Sequence, residues 1–65
     1  MNFWQILGIE PTATDEEVKR AYREMAKKNH PDLVSNLGED VRKVAEKKFQ
    51  EINAAYEAIK KQRGM

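Results

Sequence analysis

Three consecutive residues, His30-Pro31-Asp32, hold the densest chemistry in the chain: an imidazole, a rigid pyrrolidine and a carboxylate at one bend. The imidazole can accept or donate a hydrogen bond, the carboxylate can receive charge-assisted bonds from a cation, and the proline limits the freedom of the backbone between them. Proline disfavours helical geometry in the residue before it, so His30 should leave any preceding helix, with Asn29 as the last residue of that helix. A second reading keeps the pair internal, with Asp32 capping backbone amides of the turn and His30 satisfying a helix-end carbonyl.

The neighbourhood favours a use outside the chain. From Val18 to Asn29 the apolar residues Val18, Ala21, Tyr22, Met25 and Ala26 share one helix face. Lys19, Arg23 and Lys27 follow one another at i+4 steps beside it, flanked by Tyr22 and Ala26, and their row runs toward His30. Singly these cations would read as a solvated face; in sequence they form a positive ramp ending in a stiff polar tip.

Other chemistries find little support. One histidine and no cysteine leave no thiolate metal site, and no spaced carboxylates surround the bend, so neither a metal nor any other cofactor is expected. The glycines are too scattered to cradle a phosphate. A small helical hairpin should also lack a cleft of roughly 300 Å³ or more, which argues against an enzyme. With 12 basic and 11 acidic residues the net charge is +1, and Glu24 dilutes the basic helix, so a three-helix DNA-binding domain is a weaker reading and no nucleic acid partner is expected. No apolar run approaches the roughly 20 residues of a membrane span, and the start has no secretory leader. A cytoplasmic domain follows, inserting no segment of its own into a membrane, though parts outside these residues could tether it to the cytoplasmic face.

At 65 residues the chain is expected to form one domain, residues 1–65, near the lower limit for an apolar core without disulfides. Phe3 to Leu7 suggests one or two helical turns closed by Gly8. Thr14 and Glu17 form a capping box that opens a second helix, whose first turn holds Asp15, Glu16 and Glu17 and whose last turn holds Lys27 and Lys28, each sign suiting the helix dipole. Leu33, Val34 and Leu37 suggest that the following loop folds back on the body. From about Glu39 to Lys61 the apolar residues Val41, Val44, Ala45, Phe49, Ile52, Ala55, Tyr56 and Ile59 define a long amphipathic helix, with Lys48 at its core edge and Gly64 as its stop. The expected fold is all-α: an antiparallel hairpin of two long helices joined by the His30-Pro31-Asp32 loop, a short N-terminal helix packed across it, and a fourth helix short or absent.

The order of these parts resembles a J domain, the module of DnaJ-type co-chaperones: Phe3-Trp4-Gln5-Ile6-Leu7-Gly8, then Thr14 through Arg23, then His30-Pro31-Asp32, then Lys48-Phe49-Gln50-Glu51-Ile52-Asn53-Ala54-Ala55-Tyr56. The stretch after the tripeptide and the ending Ala55-Tyr56-Glu57-Ala58-Ile59-Lys60-Lys61-Gln62-Arg63-Gly64 are similar to the C-terminal J domain of the bacterial DjlA-like group, which often stops before a fourth helix. The resemblance implies a monomeric module, not an enzyme, that binds a DnaK-type chaperone in its ATP-bound state and stimulates its ATP hydrolysis. By position, Lys19, Tyr22, Arg23, Ala26 and Lys27 would form the docking face, His30, Pro31 and Asp32 the trigger, and Phe49 the aromatic that supports the trigger loop. Leu33 where the family commonly has a base, Glu24 among the bases, and Asn29 in place of an aromatic depart from the pattern. They bear on docking strength and on a second possibility, a J-like adaptor that stimulates no ATPase.

Overall fold

Helix formation starts where side chains can satisfy the first free amides, and two capping boxes do so here. In the computed structural model, which describes residues 2–65, Asn2 accepts the Gln5 amide at 2.8 Å while Gln5 returns a bond to the Asn2 amide at 3.1 Å, opening α1, Phe3–Leu7. Gly8 closes α1 at φ 70, a left-handed conformation open to glycine, and its amide bonds the Gln5 carbonyl. Thr14 and Glu17 exchange the same pair of bonds, at 3.1 and 2.9 Å, to open α2, Asp15–Lys28. A single 3-10 turn, Pro31–Val34, leads to α3, Glu39–Arg63.

Glu17 is held below the usual glutamate range, first by the Thr14 backbone N–H and then by the Thr14 side chain, against an opposing effect of desolvation, with Arg20 adding the least. The folded state therefore binds fewer protons at this carboxylate than the unfolded chain does. Its contribution is complete above the ordinary glutamate value and disappears as pH falls through the lowered one. Glu17→Gln, which can still reach the Thr14 amide, should flatten this part of the acid destabilisation in thermal melts followed from about pH 6 to about pH 3.

The hairpin is antiparallel, because contacts that ascend α2 descend α3: Asp15 meets Arg63, Tyr22 meets Asn53 and Tyr56, and His30 meets Phe49. Leu7, Val18, Ile52, Ala55 and Ile59 are buried between the three helices, with Trp4, Ile6, Ile9, Ala13, Ala21, Tyr22, Met25 and Tyr56 packed around them. All-α architecture with a short N-terminal helix across two long ones is thus the observed fold, and no helix follows α3 among the described residues.

The apolar stripe of α3 is dry over only half its length. Its 25 residues span about 37 Å at 1.5 Å each, close to the 38 Å long dimension of the molecule, whereas α1 covers only the end near Ile52 and Ile59. Val41 and Val44, expected within the buried stripe, remain 43% and 71% exposed. The connection folds back in part: the Pro31–Val34 turn packs against α3 with Val34 half-buried, while the Leu33 and Leu37 side chains are each 61% exposed.

Arg63, in the last turn of α3, joins three segments. Its guanidinium donates to Asp15 Oδ1 at 2.9 Å and to the Pro11 carbonyl at 3.0 Å, and lies 5.0 Å from the centre of the Trp4 ring. Arg63→Ala should lower stability by about 1–2 kcal/mol, a drop in melting temperature on the order of 5–15 °C, with only partial recovery in Arg63→Lys, as read by circular dichroism.

No helix among the described residues is long and apolar enough to cross a membrane.

Candidate functional site

The end of α2 is closed by Asn29, whose side-chain amide donates to the Met25 carbonyl at 2.8 Å and whose backbone N–H bonds the same oxygen at 3.0 Å. A polar residue thereby does at this position what an aromatic could not, satisfying a terminal carbonyl twice. His30 then takes extended backbone geometry, φ −63 and ψ 129, as a residue before proline should, and the chain turns.

Within the turn the internal partnership of the second reading is reversed. The imidazole is the cap: His30 Nδ1 accepts the Asp32 N–H at 3.2 Å, while the His30 carbonyl accepts the Leu33 N–H at 3.0 Å. Ser35 donates its hydroxyl to the Asp32 carbonyl at 3.2 Å. The backbone of Asp32 is held at both ends, yet its carboxylate caps nothing. That side chain is 89% exposed, with Oδ2 3.7 Å from His30 Nδ1. Acceptance at Nδ1 places the neutral imidazole proton on Nε2, facing away from the turn.

Phe49 of α3 meets the His30 ring edge-on, with centroids 5.1 Å apart and planes at 64°, so α3 supports the imidazole that supports Asp32. His30, Pro31, Asp32 and Phe49 form one cluster. The α2 residues divide by direction. Arg23 and Lys27 are exposed and Lys19 is half-buried, whereas Tyr22 and Ala26, both half-buried, lie toward α3. Tyr22 stacks on Tyr56 with centroids 4.1 Å apart and planes at 8°, and donates its hydroxyl to Asn53 Oδ1 at 2.6 Å. Tyr56 was expected only as a member of the apolar stripe, and Asn53 only as part of the family motif, neither as a partner of Tyr22. Phe49, Asn53 and Tyr56 share the i, i+4, i+7 spacing of the core face, and a polar residue inside that stripe was the available signal.

The five cations of α2, Lys19, Arg20, Arg23, Lys27 and Lys28, make no ion pair among the described residues, in contrast to Arg42, Lys43, Lys60 and Arg63. Beside the tip, Leu33 adds an exposed apolar side chain instead of a further charge.

Two surface grooves of about 480 and 430 Å³, open to solvent, run along α3. The first is lined by Glu57, Ala58, Lys60, Lys61 and Met65, and the second by Asn29, Val41, Val44, Ala45 and Lys48.

A helical hairpin with a histidine-braced aspartate at its bend, beyond a row of unpaired cations, is an arrangement of the J-domain class. The chain matches the DnaJ domain family over residues 2–64 and belongs to it. It is 44% identical to the co-chaperone protein DjlA of Shewanella oneidensis, over 95% of this chain and 24% of that protein. It is also 52% identical to the chaperone protein DnaJ of Caldicellulosiruptor bescii, over 89% of this chain and 14% of that protein. The corresponding figure for the DnaJ of Thermoplasma acidophilum is 48%, over 89% of this chain and 15% of the relative. The chain thus spans a quarter or less of these curated relatives. No solved structure matches it. Family membership makes it a J-domain co-chaperone module, a class not itself enzymatic.

Proposed function

We propose that this domain docks as a monomer on a DnaK-type chaperone in its ATP-bound state and stimulates the partner's ATP hydrolysis, in the cytoplasm where that chaperone and its nucleotide meet. Lys19, Arg23 and Lys27 steer an acidic partner surface, with Tyr22 and Ala26 behind them. Long-range attraction of this kind raises the association rate more than the final affinity. His30 and Pro31 hold the turn, Phe49 buttresses it, and Asp32 accepts charge-assisted hydrogen bonds from a partner arginine. The observation that carries this reading is the 89% exposure of an Asp32 side chain whose backbone is fixed by His30 and Ser35. Ordering that loop is already done before docking, so little entropy is lost when it engages.

Single-turnover hydrolysis by ATP-loaded DnaK-type chaperone, titrated with this domain, tests the reading. Saturable acceleration is expected, with a half-saturating concentration that rises steeply with salt. An adaptor without stimulating activity would give the same rate for wild type and His30→Gln.

A further inference from the structure

The half of α3 that outruns the core has an apolar face of its own. Val41 and Val44, 43% and 71% exposed, line with Ala45, Asn29 and Lys48 an open groove of about 430 Å³. Val44 is also the ridge between this groove and a shallower one bordered by Lys47, Lys48 and Glu51. A lone valine in water needs no explanation, but two that flank one groove together with Ala45 make an apolar seat that calls for one.

The charges at this groove indicate what covers it. Arg42 sits 3.7 Å from both Glu39 and Glu46, and Lys43 lies 3.9 Å from Glu39. Lys48, which borders both hollows, and Lys47, which borders only the smaller one beside Glu51, have no carboxylate within ion-pair distance among the described residues. An apolar seat with the free Lys48 ammonium at its edge is complementary to an apolar side chain carried on an acidic stretch. A second copy of this chain fits less well, because a two-fold pairing across Val44 would set these lysines against their equivalents. The groove is also continuous with the proposed trigger: Asn29, part of its wall, directly precedes His30.

We propose that this groove is a second docking point for the same chaperone, receiving an apolar side chain from an acidic segment of the partner, so that it sets affinity while Asp32 sets the hydrolysis rate. The inference rests on the function proposed above. In single-turnover titrations with ATP-loaded DnaK-type chaperone, Val44→Asp should raise the half-saturating concentration at least about 10-fold, and Val44→Ala about 3-fold, with the maximal rate retained. Lys48→Glu should also weaken half-saturation and reduce its salt dependence. Circular dichroism of each variant confirms that an exposed position was changed without loss of the fold. An unaltered half-saturating concentration for folded Val44→Asp, beside a stimulating wild type, overturns the groove and leaves the trigger reading standing. A wild type that neither binds nor stimulates overturns both. Self-association of the wild type that Val44→Asp abolishes assigns the groove to a second copy and likewise overturns the proposal.

Discussion

Asp32→Asn is expected to leave the helices and their melting temperature near the wild-type values while stimulation of a DnaK-type chaperone falls by roughly 30- to 1,000-fold. That range corresponds to about 2–4 kcal/mol for removing one partner of a desolvated, hydrogen-bonded charge pair. Stability should survive because nothing in the turn depends on the carboxylate. The Asp32 N–H bonds His30, the Asp32 carbonyl receives Ser35, and the side chain is 89% exposed. Asparagine keeps the shape but can no longer attract an arginine by charge. Retained stimulation in a folded Asp32→Asn domain would show that the carboxylate is not the triggering group.

The opposite profile is expected of Ile52→Ala. Ile52 is fully buried at the meeting of the three helices, and truncating such a side chain removes about 2–5 kcal/mol through lost transfer energy and a residual cavity. A core of this size supplies only about 3–5 kcal/mol in total, so a large share of the variant should be unfolded at 37 °C. Thermal and urea unfolding would read the loss directly, and activity should fall in proportion to the folded fraction. Val44→Ala, on the same helix but 71% exposed, should change stability by no more than about 0.5 kcal/mol. The two substitutions separate the half of α3 that makes the domain fold from the half available for contact.

Much of this arrangement is legible in local patterns. Thr14 and Glu17 mark the start of α2, Gly8 and Gly64 end α1 and α3 at φ 70 and φ 72, and Pro31 forces His30 out of the helix. These features depend on neighbours within about four residues, so spacing reveals them. The boundaries of α3 were likewise close, Glu39 to Lys61 expected against Glu39–Arg63 observed. The less legible features join residues distant in the chain. Tyr22 has the same periodic position whether or not Asn53 waits opposite its hydroxyl, and Arg63 looks like any terminal cation until Asp15, Pro11 and Trp4 are brought beside it.

The chain's own pattern of caps, periodicity and turn residues was enough to specify an all-helical hairpin bent at His30-Pro31-Asp32, since each of those signals acts through adjacent backbone groups. Which side of the bend faces water was settled by folding: Phe49 lies edge-on to the His30 ring from α3, and His30 rather than Asp32 caps the turn, leaving the carboxylate outside. The same holds for Val41 and Val44, which carry the helical period of core residues but stay in solvent because α1 is only five residues long and reaches just one end of α3. Periodicity names the face of a helix; coverage by its neighbours, a property of the assembled domain, determines how much of that face becomes dry.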